Sequence, residues 1–94
     1  MSIHVAAIDL GATSGRVMRA VIDPDRLELI EVARFPNGPV KRAGGLHWDI
    51  DALREHILAG LRRAFSDDPL ITSISIASWA VDYALMAGDR MLGT

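Results

Sequence analysis

Apolar and polar positions in the first third of the chain follow the pattern of three consecutive β-strands. Ile3–Leu10 is almost continuously apolar, which is typical of a central strand buried on both faces. Residues 16–23 and 27–35 are rich in β-branched and apolar side chains, and short polar turns separate the three segments. We therefore predict an antiparallel meander, with a β-bulge near Leu29 and Ile30, where the alternation of the third strand slips.

An amphipathic helix is predicted in the middle of the chain. Residues 36–48 contain several prolines and glycines, which favours an irregular surface loop. Asp49 then stands where a helix N-cap is expected, and the helix should end near residues 66–69, which include Pro69. The apolar residues of this segment fall on one helical face, and they are Ile50, Leu53, Ile57, Leu61, Ala64 and Phe65.

Apolar residues return after Pro69 and predict two further strands. In residues 70–78 one face carries Ile74 and Ile76, and the other carries the small residues Ser73, Ser75 and Ala77. A helix packed against this second face would explain the small side chains. Residues 81–87 are predicted as a strand, Gly88 and Asp89 as a two-residue turn, and residues 90–94 as the start of a return strand.

The predicted order β-β-β-α-β-β constrains the topology of the sheet. After three antiparallel strands and a helical crossover, the fourth strand must run parallel to one of them, most economically to the buried first strand. The expectation is an α/β fold in which a helix covers one face of a mixed sheet, the ribonuclease H-like arrangement.

Length and charge exclude several classes of protein. The 94 residues, half of them hydrophobic, suffice for one core but not for a second domain that closes over a substrate. With a net charge of −2, the chain lacks the excess of positive charge that is typical of proteins binding nucleic acid or an anionic membrane surface. The absence of Cys excludes thiolate chemistry, and the longest uncharged run, residues 69–81, is too short to span a bilayer. We therefore expect a soluble, cytoplasmic protein.

The first candidate site is residues 9–16 (DLGATSGR), between the first two strands. Two glycines four positions apart let the backbone turn sharply and approach an anion, and the hydroxyl residues between them add donors. Asp9, at the end of a buried strand, needs a cation or a donor to offset its burial, and a hydrated Mg²⁺ beside phosphates would serve. The alternative is a purely structural hairpin in which Asp9 caps the turn.

The second candidate site is residues 78–83 (SWAVDY), at a junction between two strands. The ring of Trp79 suits the apolar face of a sugar, and the carboxylate of Asp82 suits its hydroxyls. Parallel first and fourth strands would place both candidates at the same sheet edge. The alternative is that the aromatic residues only pack. Trp48, just before the helix, is interpreted as a packing residue on Leu53.

Three segments, in order and at matching intervals, resemble the start of the rhamnulokinase group in the FGGY family of carbohydrate kinases. They are residues 7–18 (AIDLGATSGRVM), 46–51 (LHWDID) and 78–83 (SWAVDY). The resemblance implies an actin-like ATPase fold of two ribonuclease H-like domains, with this chain as the incomplete first domain and the C-terminal part missing. It also implies that ATP and L-rhamnulose bind between the domains and that the γ-phosphoryl group passes to a primary hydroxyl of the sugar.

The resemblance also implies roles for individual residues. The ATP phosphates are assigned to Ala12, Thr13, Ser14, Gly15 and Arg16. Asp9 is expected to order the water shell of Mg²⁺, and the backbone of Ala80 to touch the sugar, with Trp79 and Asp82 beside it. The general base of the family is expected beyond residue 94, so this chain alone is expected to lack turnover.

The chain departs from the family pattern at two positions. Ala80 stands where Gly is frequent, and Ala77 stands where rhamnulokinases commonly have Asp, which puts the polar network around the sugar in doubt. Two other interpretations stay open. One is a kinase for another sugar or polyol, and the other is a non-catalytic ribonuclease H-like module that keeps the loop for hairpin geometry alone.

Overall fold

The sequence folds into an α/β arrangement with a mixed sheet, and a computed structural model describes residues 2–80 and 82–94. The strands before the helix are β1 (Ile3–Leu10), β2 (Ser14–Ile22), β3 (Leu27–Pro36), β4 (Pro39–Arg42) and β5 (Gly45–Trp48). Helix α1 (Ile50–Asp67) is followed by β6 (Ser73–Ser78), β7 (Leu85–Ala87) and β8 (Arg90–Gly93). Within these residues no helix has the length and apolar character needed to cross a membrane.

The main sheet has the strand order β3-β2-β1-β6. β1 pairs with β2, and β2 with β3, in antiparallel register, so the predicted meander is confirmed. After the helix, β6 pairs with β1 in parallel, from Val5 opposite Ser73 to Leu10 opposite Ser78. The predicted crossover is therefore confirmed, and β1 is an interior strand of the sheet.

The predicted β-bulge of β3 is confirmed, but it lies at Val32, two residues beyond Ile30. The register against β2 shifts there because Val32 has no partner residue on β2. Val32 is buried, whereas Leu29 keeps a regular partner and is exposed. The extra residue thus turns an apolar side chain into the core at the point where the strand bends.

Residues 36–48 form a β-hairpin after the end of β3, so the prediction of an irregular loop is wrong. β4 and β5 pair in antiparallel register. Ala43 and Gly44 form the turn between them with φ angles of 48° and 78°, the left-handed conformation that a two-residue hairpin of this kind requires. The glycines and prolines of this segment therefore mark the ends of two short strands.

Helix α1 begins and ends where the sequence predicts. The carboxylate of Asp49 accepts a hydrogen bond from the Ala52 amide at 3.1 Å, which is the geometry of an N-cap. At the other end, the Asp68 amide donates to the Ala64 carbonyl at 2.9 Å. Pro69 follows and prevents a further turn of helix.

The core lies between α1 and the strands of the meander. Ala6, Ile8 and Val17 from the sheet are buried together with Leu53 and Ala64 from the helix. The opposite face of β1, which the sequence predicted to be buried as well, is only partly covered. The sheet of the described chain is therefore closed on one face by α1.

Helix α1 packs on the face of the sheet opposite to the predicted one. Ile76 on β6 is registered with Ile8, which faces the helix, whereas Ser75 is registered with Ala7 on the other face. The prediction of a helix over Ser73, Ser75 and Ala77 is therefore wrong. The close approach of helix and sheet depends instead on Gly60 of the helix.

The last part of the chain forms a small hairpin of its own. β7 begins at Leu85 rather than at residue 81, and Val81 lies outside the described residues. The turn at Gly88 and Asp89 and the return strand β8 are confirmed. β7 and β8 pair with each other, and β4 and β5 do the same. The predicted order β-β-β-α-β-β therefore lacked the β4–β5 hairpin and did not count the return strand β8.

Candidate functional site

The first candidate segment forms a tight turn between β1 and β2. The Gly11 amide donates to the Ser14 carbonyl at 2.9 Å, so the turn is closed by its own backbone. A Cβ atom on Gly11 would lie only 2.9 Å from that carbonyl oxygen. Gly11 is therefore required by the turn itself, before any ligand is considered.

Gly15, the second glycine of the turn, is required by packing. A Cβ atom there would clash with the ring of Phe35, which is buried against the start of β2. The same ring stacks on His56 of α1, with 4.8 Å between ring centroids and an interplanar angle of 2°. The turn is thereby fixed to β3 and, through the stacked rings, to the helix.

Asp9 and Arg16 are cross-strand partners at the base of the turn. Arg16 Nη2 donates to Asp9 Oδ2 at 2.5 Å, and this hydrogen bond and the charge of Asp9 raise the pKa of Arg16. The side chain of Asp9 is 51% exposed, so its predicted burial is wrong. The strand ends in an accessible carboxylate whose charge is offset by a permanently protonated guanidinium.

Ala77 on β6 is the neighbour of Asp9 on the other side. The two residues are Cα partners, and paired residues of parallel strands share a face. A carboxylate at position 77 would therefore stand beside Asp9. The departure at Ala77 thus changes the surroundings of Asp9 at the base of the turn.

Asn37 holds the turn from the outside, and the sequence reasoning missed it. Its side-chain Nδ2 donates to the Gly11 carbonyl at 2.9 Å, and its backbone amide donates to the Thr13 carbonyl at 3.0 Å. Asn37 lies in the segment that the sequence predicts as an irregular loop, and its local sequence indicates no role for it. Its position directly after β3, which pairs with the strand that leaves the turn, is the signal that would have indicated it.

Trp79, in the second candidate segment, is fixed by two contacts. Its ring packs against that of Trp48, with 4.5 Å between centroids and an interplanar angle of 45°. Its indole Nε1 donates a hydrogen bond to the carboxylate of Asp82. Trp79 also contacts the core, and Ala80 is exposed beside it. Trp48 therefore packs on the candidate segment, a contact that its position before the helix did not reveal.

The parallel pairing of β1 and β6 brings the two candidate segments to one end of the sheet. Leu10 and Ser78 are partners at the carboxyl ends of these strands, and each belongs to its candidate segment. The predicted common edge is therefore confirmed. The arrangement combines a tight backbone turn, an accessible carboxylate with its arginine, and an ordered aromatic residue.

Comparison with known proteins gives a consistent set of relatives, although no family model matches the chain. A rhamnulokinase of Enterobacter sp. (strain 638) is 46% identical over 85 residues, or 88% of this chain. Rhamnulokinases of Bacteroides thetaiotaomicron and Bacillus subtilis (strain 168) are 42% and 41% identical over 92% and 90% of it. The chain spans 17–18% of the length of these curated relatives. The chain is thus related by sequence, over nearly all of its residues, to the amino-terminal part of rhamnulokinases.

Proposed function

We propose that this chain is the amino-terminal part of a carbohydrate kinase of the FGGY family, which phosphorylates L-rhamnulose to L-rhamnulose 1-phosphate with ATP in L-rhamnose catabolism. The observation that carries the proposal is the match to three rhamnulokinases over about nine-tenths of the chain. The ribonuclease H-like half of an actin-like ATPase fits the mixed sheet and its crossover helix.

The turn after β1 is the proposed binding site for the ATP phosphates, with Ala12, Thr13, Ser14, Gly15 and Arg16 as its contacts. A rigid turn presents fixed backbone dipoles, which stabilise a transferred phosphoryl group without rearrangement during the reaction. Arg16 adds a permanent positive charge at the base of the turn.

Asp9 fits the proposed role beside Mg²⁺. Its carboxylate is half exposed, and a hydrated Mg²⁺ needs only one or two carboxylates because it keeps most of its waters. When bound, the ion would neutralise charge that develops on the phosphates. Asp9 would hold water of the ion's shell, while its hydrogen bond from Arg16 fixes the carboxylate at the base of the turn.

The second segment is the proposed edge of the sugar site. Trp79 is held by Trp48 and by its bond to Asp82, so both polar and aromatic groups have fixed positions there. Ala80 lies between them in sequence and would offer its backbone to the sugar. Relative to the Gly that is frequent at this position in the family, its methyl group would narrow the proposed sugar site.

In the proposed scheme, turnover requires groups on the other side of the substrate cleft, and this chain does not supply them. Phosphoryl transfer depends on positioning and on a base at the acceptor hydroxyl. We assign the base and the adenine pocket to the remaining part of the kinase. The 94 residues alone are therefore expected to show no ATP-dependent phosphorylation of L-rhamnulose.

A chimera tests the proposal. The chain replaces the matching segment of the Bacillus subtilis rhamnulokinase, to which it is 41% identical. We expect ATP- and L-rhamnulose-dependent ADP formation from the chimera and none from the 94 residues alone. Asp9→Asn should lower kcat of the chimera by about 100-fold or more, in the range of losing one electrostatic contact to the transition state. Asp89→Asn, in the exposed turn of the last hairpin, is the matched control.

The other interpretations give different results in the same experiment. A kinase for another sugar would leave the chimera inactive with L-rhamnulose but active in a panel of ketoses and polyols. A non-catalytic module would yield a folded chimera that neither turns over any sugar nor binds Mg·ATP in calorimetric titration. A second chimera with the Enterobacter relative separates this outcome from a poor junction.

A further inference from the structure

Asn37 contacts the turn after β1 at two carbonyl groups. Its side-chain amide reaches the Gly11 carbonyl at 2.9 Å, and its backbone amide reaches the Thr13 carbonyl at 3.0 Å. These two bonds lie at opposite ends of the Gly11–Ser14 ring that the turn closes with its own hydrogen bond. One residue therefore holds both peptide groups that flank the tip of the turn.

Holding the carbonyls also sets the direction of the neighbouring amides. In a trans peptide unit the C=O of one residue and the N–H of the next point in opposite directions. Fixing the Gly11 carbonyl on Asn37 therefore points the Ala12 amide away from Asn37. Fixing the Thr13 carbonyl points the Ser14 amide away from it in the same manner. Both amides belong to the residues that we assign to the ATP phosphates.

The surroundings of Asn37 fix the position from which it donates these two hydrogen bonds to the turn. Asn37 is half-buried directly after β3, whose Phe35 occupies the space above Gly15 and stacks on His56 of the helix. The carboxamide is anchored at the end of a paired strand, so a change in its hydrogen bonding is transmitted to the turn rather than absorbed by a mobile segment.

We propose that Asn37 is a positioning residue for phosphate binding, which aims the amides of Ala12 and Ser14 at the phosphates of a nucleoside triphosphate. The inference rests on the proposed function, since it takes the turn as the phosphate site. Asn37 itself touches the turn and not the phosphates. Its side-chain bond is the part that substitution can remove, because the backbone bond persists with any residue except Pro.

Asn37→Asp is the sharpest variant, because it keeps the shape of the side chain and removes the Nδ2 donor to Gly11. In the chimera we expect KM for ATP to rise about tenfold, the scale of losing one hydrogen bond. KM for the sugar should stay within twofold. Asn37→Ala, which adds no charge beside the Gly11 carbonyl, should likewise raise KM for ATP and leave KM for the sugar nearly unchanged. Gly38→Ala is the control, because a Cβ atom at Gly38 meets no atom within 4 Å.

A role limited to folding would lower the unfolding midpoint and affect both substrates alike, and that result overturns the proposal. An unchanged KM for ATP in both variants overturns it as well. If the chimera is inactive with every sugar, amide NMR shifts of the 94-residue chain on titration with Mg·ATP decide the matter. Shifts at Ala12 and Ser14 that weaken in Asn37→Asp support the role of Asn37 although the kinase proposal fails. If Mg·ATP causes no amide shifts in the unsubstituted chain, both the role of Asn37 and the kinase proposal are overturned.

Discussion

Asp68 connects the neighbouring strands β1 and β2, at one end of the sheet, to the end of the helix. It is 6% exposed, and its carboxylate lies 2.6 Å from His4 Nδ1 and 3.6 Å from Arg19 Nη1. The Leu70 amide donates to its other oxygen at 3.1 Å. The hydrogen bond with His4, the bond from Leu70 and the charge of Arg19 lower the pKa of Asp68 against the opposing effect of burial.

This lowered pKa predicts the pH dependence of stability. A carboxylate whose pKa is lower in the folded state stabilises the fold above its unfolded pKa of about 4 and loses that effect as the pH falls through the folded value. Asp68→Asn should therefore lower the urea midpoint at pH 7, and the gap to the unsubstituted chain should narrow below about pH 4. Asp67→Asn, one residue earlier and exposed, should leave the midpoint unchanged. A gap that stays constant down to pH 2 would contradict the prediction.

Only some residues of the candidate site were predictable from the sequence. Asp9 and Arg16 could be found because a charge at the end of an apolar strand and a polar turn after it are local signals. Asn37 and Trp48 could not, because their partners Gly11 and Trp79 lie 26 and 31 positions away. These contacts depend on the path of the chain between the partners, which is β2 and β3 in one case and α1 and β6 in the other. Contacts of this kind arise from tertiary structure.

At the scale of elements, the sequence predicts the strands of the main sheet better than the hairpin β4–β5. The main strands have long apolar runs, whereas β4 and β5 have four residues each and mostly exposed side chains. Their turn also places Ala43 at a positive φ, which is unusual for a residue with a Cβ atom. Short, exposed strands with such a turn give no periodic signal.

The packing of α1 on β2 depends on Gly60, and this makes a testable prediction. A Cβ atom on Gly60 would lie 2.5 Å from Val17 Cγ2, and Val17 is fully buried. Gly60→Ala should therefore destabilise the fold by about 1–3 kcal/mol from overpacking, reduced by about 1 kcal/mol of gained helix propensity. Chemical denaturation gives the free energy of unfolding.

A double-mutant cycle separates this contact from other effects of the substitution. Val17→Ala alone should cost about 2 kcal/mol or more because it leaves a cavity. The double variant Val17→Ala/Gly60→Ala should lose less free energy of unfolding than the sum of the losses in the two single variants, because the added methyl group enters the vacated space. Strict additivity would show that Gly60 is small for another reason.

At the scale of the molecule, the main sheet is covered unevenly. α1 closes the helix-facing side of the meander, but β6 forms the edge of the sheet and all six of its residues are exposed. Ile74 and Ile76, on the helix-facing side of β6, are 49% and 61% exposed. An edge strand with apolar side chains favours pairing with further chain. In the proposed kinase, the residues beyond this segment would cover it.

Ile76→Lys tests this interpretation in two proteins. In the 94-residue chain the side chain is exposed, so the substitution should change the free energy of unfolding by less than about 0.5 kcal/mol while it reduces concentration-dependent association in sedimentation velocity. In the chimera the same lysine would be buried, so activity and thermal stability should fall sharply. Leu46→Lys, equally exposed on β5, is the control for added charge. If Ile76→Lys is harmless in an active chimera, β6 is an open edge in the kinase as well, and the remaining chain packs elsewhere.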